Sequence, residues 1–397
     1  MQQRFRENTK LLCWNFVIAL TASAILLSAI TAQARNKSRN KDKDLVYVGT
    51  HTDHGSKGIY AYRFDAATGQ LTALGLAAEN EQPTFLAVDP NWKVLYAANE
   101  MDHFNGQPTG AVSAFAIDRA TGKLSFLNEV SAHDPGPAHL AVDRTGKNVL
   151  TTNYPLGSVT VLPILDGGRL GDASDFVRHK GSSLNPTRQQ GPHAHSVTMS
   201  PDNRFALVAD LGIDQVIVYP FDAAKGKLGV PHVVKVHPGA GPRHLTFSPN
   251  GRFVYLINEM GSTVTVFAYE SSAGNLTELQ TITTLPDGFA GENGSAEIQI
   301  LPSGKFVYAS NRGDDSIAVF AVDRIKGTLT FVERVPTEGK TPRNFAIDPS
   351  GSWLLAANQN SNNIVTFRIN AKTGRLTPTG QVLELNAPVC IQFVPLP

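Results

Sequence analysis

Five residues whose types could do chemistry stand at matching places in short, similar stretches. Arg243 follows Gly-Pro in AGPRHLTFSPNGRFVYLINE, which ends on Glu259; His195 lies in GPHAHS, Arg312 in VYASNR and Arg343 in TPRN. A guanidinium can grip a carboxylate or phosphate through two parallel hydrogen bonds, so three arginines facing one pocket suit an anion. His195 and Glu259 add two groups able to take a proton. That chemistry needs the five side chains on one surface, although they are spread through the chain.

The elements that must bring them together are short β-type runs. Seven share one form, apolar with β-branched or aromatic residues and a polar end: LVYVGT, VLYAANE, NVLTTNY, ALVADL, VYLINE, VYASNR and WLLAANQ. Six follow a run that ends in a turn, as in PTFLAVDPNWK, PRHLTFSPNGR and PRNFAIDPSGS. There Pro presets φ and Gly or Asn accepts positive φ, so each pair reads as a hairpin. A third run such as STVTVFAYE and a fourth opened by AGNL, KGTL or TGRL complete four antiparallel strands. Seven such units in series describe an all-β fold, a seven-bladed β-propeller. The first unit lacks its leading run, and APVCIQFVPLP at the C-terminus is a leading run with no unit after it. The C-terminal strand is therefore expected to complete the first blade and close the ring.

In such a hairpin the start of the leading strand and the end of the next lie on one rim, opposite the turns. The residue after the leading Pro or its equivalent is Thr84, Ala138, His195, Arg243, Ala296, Arg343 and Val389. The residue after the polar end of the next run is His51, Glu100, Tyr154, Leu211, Glu259, Arg312 and Gln359. Blades four to seven thus concentrate His195, Arg243, Glu259, Arg312 and Arg343 in one sector, a convergent polar set at a channel mouth. Arg343, His193, His244 and Gln359 are expected to contribute to substrate binding, although His139 and His244, one residue along the strand, more often fit the core or a supporting place behind the site. Asn99, Asn153, Asn258, Asn311 and Asn358 read as side-chain caps of turns.

Other chemistries lack their patterns: there is no Gly-x-Ser-x-Gly elbow, no CxxC or HExxH spacing and no phosphate-binding glycine loop. A hydrophobic content of 42% against 17% charged residues excludes a disordered chain, and a net charge of +1 without a basic block past residue 44 gives nucleic acid no footprint. At the N-terminus Arg4, Arg6 and Lys10 precede the apolar run LLCWNFVIALTASAILLSAI, and Ala32-Gln33-Ala34 is a small-x-small cleavage site. Residues 1–34 are expected to be a signal peptide, 35–43 a disordered linker and 44–397 the propeller. Cleavage would leave Cys390 without a disulfide partner, release the protein from the membrane, and place it in the periplasm or outside the cell.

The stretches GPHAHS, AGPRHLTFSPNGRFVYLINE, SAEIQILPSGKFVYASNRGDDSIAVF and TPRNFAIDPSGSWLLAANQNSNNIVTFRI together resemble the seven-bladed lactonase family, over residues 45–397. That family includes 6-phosphogluconolactonase and the carboxy-muconate lactonising enzyme. The resemblance implies a site without metal or cofactor, built from His195, Arg243, Glu259 and Arg312, that opens or closes a lactone bearing an anionic group. Arg243 and Arg312 would hold the anion and the developing oxyanion. Either His195 or Glu259 would take the proton from water; His195, near its ordinary pKa of ~6.5, suits that task better, with Glu259, depressed by the arginines, orienting it or the water. An export signal fits an unphosphorylated sugar lactone or another acidic lactone better than a phosphorylated sugar. Two rivals are a calcium-dependent propeller lactonase using Asn99, Glu100, Asn153 and Asp210, and a periplasmic binding propeller without turnover.

Overall fold

The computed structural model describes residues 43–395; the expected signal peptide, and the expected linker up to residue 42, lie outside the described residues. Lys43 already opens the first strand, Lys43–Thr50. The rest forms seven antiparallel sheets, each built from consecutive strands except the first. In that blade the inner strand is Pro388–Val394, which pairs antiparallel with Lys43–Thr50 in the register Leu45↔Val394 through Gly49↔Cys390. The C-terminal strand therefore completes the first blade, as the unmatched runs at the two ends require. Inner strands of blades two to seven are Pro83–Val88, Pro137–Val142, Ala194–Met199, Pro242–Phe247, Ser295–Ile300 and Pro342–Ile347. Blade four departs from the four-run pattern: its outer strand is split into Lys227–Leu228 and His232–Lys235, both paired with Gln215–Asp222.

Burial explains the sequence patterns. Every residue of the second strand is buried in blades two to seven, because neighbouring blades cover both of its faces and continuous apolar runs are required. Outer strands alternate, as in Asn275–Thr283, because one face meets solvent. The core lies between blades: Val46, Val48, Tyr62 and Phe64 of blade one pack with Trp353 and Leu355 of blade seven and with Ile391 and Phe393. Hydroxyls on the second strand reach the outer turn of the next blade, Tyr255 to Gly327 O at 3.1 Å and Tyr308 to Gly374 O at 2.8 Å. These ties make each blade's position depend on its neighbour.

Two features recur at the functional rim. In each blade the residue after the second strand donates its N–H to the carbonyl of a residue just before the inner strand, as Glu259 to Gly241 at 2.7 Å and Arg312 to Gly294 at 3.1 Å. Each inner strand also carries one extra residue against its partner: Pro242 pairs with Asn258 but His244 with Ile257, leaving Arg243 without a partner. The same slip isolates Thr84, Ala138, His195, Arg343 and Val389. Blade six takes it up across Ala296 and Glu297. Such bulges re-aim side chains, here toward the channel mouth.

Candidate active site

The rim sector from blades four to six gathers around one carboxylate. Gly241 adopts φ +66°, a left-handed turn that an L-residue resists, and so presents the carbonyl that anchors Glu259. Glu259 Oε2 accepts from Arg243 Nε at 3.0 Å and lies 2.8 Å from Arg312 Nη2, while Oε1 accepts from Arg188 Nη2 at 2.8 Å. Its side chain is only 7% exposed. Burial alone would raise its pKa, but Arg312, Arg243 and Arg188 together hold it down at about 2. Glu259 is a fixed anion with both oxygens occupied.

The arginines differ in what they leave free. Arg243 is 2% exposed, gives Nε to Glu259, and gives Nη1 to Ala296 O at 2.9 Å. Burial, then Arg312 and Arg343, press its pKa downward, yet a guanidinium stays protonated at neutral pH. Arg243 is therefore built into the wall and braces Glu259 where the sequence suggested a hook for the anion. Arg312 spends Nε on Gly294 O at 3.0 Å and Nη2 on Glu259. Arg343 comes no nearer than 3.7 Å to Glu100 Oε2, which leaves its donors the least committed.

Arg188 was not legible in the repeat. It sits in the long connection between blades three and four, where Asn185 Oδ1 accepts the N–H groups of Thr187 and Arg188 and the buried Gln189 donates to Leu211 O at 2.8 Å. That local clamp delivers a half-exposed guanidinium over the rim. Arg188 Nη2 also donates to the Tyr154 hydroxyl at 2.9 Å. Tyr154 stacks on His193 at a 4.7 Å centroid distance and meets His195 edge-on at 5.4 Å. The only sequence hint of Arg188 is NPTRQQ, a turn-forming stretch in the longest gap between strand runs.

His195 is buried beside this cluster, and its Nδ1 bonds no group among the described residues. Burial first, then Arg243 and His244, push its pKa well below the ordinary imidazole range, which corrects the expected value near neutrality. Its ring is uncharged. Glu259 does not bond to it, since the arginines hold both oxygens, so the expected orienting contact is absent among the described residues. His193 is held by its N–H to Asp210 Oδ1 at 2.7 Å and by Nδ1 against Tyr154 O at 3.0 Å. His244 is buried between Arg243 Nη1 and Glu297 Oε2, one residue further along the inner strand. Gln359 begins a short 3-10 turn, and its side chain bonds none of the other described site residues.

The groups proposed for a cation do not share one site: Asn99 Oδ1 accepts from the Ser113 hydroxyl and Glu100 Oε2 faces Arg343 at 3.7 Å, while Asn153 Oδ1 bonds no group among the described residues. Asp210 accepts from His179 Nδ1, the His193 N–H and the Gly212 N–H, and the amides of Asn99 and Asn153 donate to Glu81 O and Ala132 O. Among the described residues no three His, Cys, Asp or Glu side chains are grouped to hold a metal ion.

The sequence profile of a family described as "Lactonase, 7-bladed beta-propeller" matches residues 45–393. The chain belongs to this lactonase family. The lactonase is 38% identical over 352 residues to the 6-phosphogluconolactonase of Bacillus subtilis, covering 89% of this chain and 99% of the relative. A 6-phosphogluconolactonase of Formosa agariphila is 35% identical over 357 residues, covering 88% and 99%. Among solved structures, the periplasmic gluconolactonase of Pseudomonas aeruginosa superposes with a TM-score of 0.85 at 36% identity, covering 89% of the lactonase and all of that chain. The lactonase is an enzyme of the carboxylic ester hydrolase class, 6-phosphogluconolactonase-like in its relatives.

Proposed function

We propose that this lactonase hydrolyses the ring ester of a sugar-acid lactone bearing an anionic group, without a metal ion. The observation that carries the proposal is a saturated Glu259, ringed by Arg188, Arg243 and Arg312, beside an uncharged His195. Four guanidinium groups, counting Arg343, face two carboxylates, Glu259 and Glu100, so the pocket keeps a positive excess suited to an anion.

His195 accepts a proton from water as its oxygen attacks the lactone carbonyl. The uncommitted N–H groups of Arg312, Arg343 and Arg188 grip the substrate anion and the oxyanion that develops. When the intermediate collapses, the ring C–O bond breaks and the leaving alkoxide takes the proton back from His195. Glu259 is too weak a base at a pKa of about 2 and serves to array the arginines. A depressed His195 is a weaker base than a free imidazole, but it is fully unprotonated at neutral pH.

The apolar N-terminal run behind Arg4, Arg6 and Lys10, together with the periplasmic relative, supports export. An exported enzyme meets unphosphorylated lactones more often than sugar phosphates, which favours a carboxylate as the anionic group, and the gluconolactonase name of that relative supports a sugar-acid ring. The test is pH-stat hydrolysis of glucono-δ-lactone, its 6-phosphate and an acidic lactone, with and without EDTA. Turnover unaffected by EDTA is expected. Loss with EDTA would favour the calcium-dependent alternative, and no rate above spontaneous hydrolysis on any lactone would favour a binding propeller. Ring closure of a carboxy-muconate-type acid, run in the same assay in reverse, tests the cycloisomerase alternative.

A further inference from the structure

One residue beyond the rim, the inner strands of blades five, six and seven place a second set of polar groups that the proposed reaction does not use. Glu297, 6% exposed, accepts the Ile298 N–H on Oε1 at 3.0 Å and the Asn344 amide on Oε2 at 2.5 Å. The Asn344 amide cannot be turned the other way, because its Oδ1 accepts the Ile391 N–H at 2.9 Å. The remaining neighbour of the carboxylate is His244 Nδ1, at 3.3 Å from Oε2. His244 Nε2 in turn faces Arg243 Nη1 at 3.3 Å. A guanidinium has only donors, so Nε2 must offer its lone pair and Nδ1 must carry the proton toward Glu297. One tautomer satisfies both ends. A continuous chain, Glu297 to His244 to Arg243 to Glu259, then links the channel interior to the rim.

We propose that Glu297 is a positioning residue that, while ionised, locks His244 as its Nδ1–H tautomer and thereby keeps Arg243 and Glu259 in their working arrangement. Its kinetic consequence rests on the lactonase reading above. If Glu297 gains a proton, its new O–H needs an acceptor, yet Ile298 and Asn344 both present donors. The lone pair within reach is His244 Nδ1, and it becomes available only if the ring moves its own proton from Nδ1 to Nε2. That proton would then point at an Arg243 N–H, donor against donor. Arg243 loses a bond and is pushed from its place against Glu259.

The groups facing Glu297 favour such a response near neutrality. Burial lifts its carboxyl to about 7 against the opposing pull of Arg243 and of the Ile298 N–H. His244 and Arg243 face it from blade five, His139 from blade three, Ser310 and Asn344 from blades six and seven, and Cys390 from blade one. The two histidines are held uncharged by burial, and the Cys390 thiol is pushed up to about 12, so Arg243 is the one charged partner in this shell.

The test combines Glu297→Gln with a readout that needs no substrate. The amide mimics the protonated acid, so kcat should fall about 10- to 100-fold through displaced Arg243, with KM changed by less than about threefold. The wild-type loss of kcat as pH falls through neutrality should be absent in the variant. A variant that keeps the wild-type acid limb would overturn the proposal. Independently, 15N spectra of histidine-labelled wild-type protein should show His244 as Nδ1–H above neutrality and Nε2–H below it. A ring that stays Nδ1–H throughout would overturn the proposal whether or not any lactone is turned over. The wild-type titration also decides the matter if the variant fails to fold, and it separates failure of this inference from failure of the lactonase reading.

Discussion

Replacing Glu259 with Gln removes a charge while keeping the shape that three arginines surround. Arg243, Arg312 and Arg188, at 3.0, 2.8 and 2.8 Å from its oxygens, would then face one another without a counter-ion. The carboxyl lies at about 2 against an ordinary 4.5. At ~1.36 kcal/mol per unit that depression corresponds to stabilisation by the ionised form on the order of 3 kcal/mol. Breaking a buried ion cluster from one side gives a similar figure, about 3–5 kcal/mol. With an unfolding entropy of ~2.1 cal/mol/K per residue, Tm should fall on the order of 5 °C. The sign with pH follows from the direction of the shift. A depressed carboxyl gives its full stabilisation above the unfolded-state value and loses it as pH drops toward the folded-state value. The gap between wild type and variant should therefore shrink from about 3 kcal/mol near pH 7 to about 1 kcal/mol near pH 3. Calorimetry across that range measures it. Equal melting temperatures near pH 7, or a gap that does not narrow with acid, would refute the account of Glu259 as the ionic hub of the rim.

Four further outcomes follow from the same geometry. His195→Gln should lower kcat by about 10²–10⁴-fold with the fold intact, as loss of a general base does; undiminished hydrolysis of the preferred lactone would remove His195 from the chemistry. Arg188→Ala deletes a half-exposed guanidinium and should leave the circular dichroism spectrum unchanged while raising KM about tenfold or more, the worth of one charge-assisted hydrogen bond; an unaltered KM would place the substrate elsewhere. In Gly241→Ala a Cβ would sit 2.8 Å from Met260 Cγ at φ +66°, so about 1–2 kcal/mol of stability should be lost, visible as a lower midpoint in urea. Mass spectrometry of protein expressed in an exporting host should find the mature chain starting at Arg35; a full-length chain left in the cytoplasm would contradict export.

The ring was legible because each blade writes the same hairpin twice over, in its apolar period and in its turn residues. The unmatched first and last runs then force closure between Lys43–Thr50 and Pro388–Val394. Arg243, Glu259 and Arg312 could be brought together by counting from those turns, since their places are set by the repeat itself. Arg188 could not, because its position depends on the Asn185 and Gln189 clamp in a connection that no other blade shares. Glu297 was hidden differently: counting put Ala296 at the rim of blade six and stopped there, although the slip in that blade spans both residues. Protonation was the least legible property. A histidine alone in sequence carries its free-solution value, and only the folded surroundings of His195 show that burial and Arg243 displace it.

The slip that isolates a single residue in every blade but the sixth has a bearing on how such a rim could change its chemistry. Thr84, Ala138 and Val389 occupy the same unpaired place in the register as His195, Arg243 and Arg343. A substitution there would install a new group on the mouth of the ring without rebuilding any strand. Blades four to seven hold the present cluster, so the unused places lie mainly on the opposite arc, where a ligand's distal end would rest. Selectivity for different lactones could then be revised by point mutation on one arc while the ionic cluster on the other stays as it is.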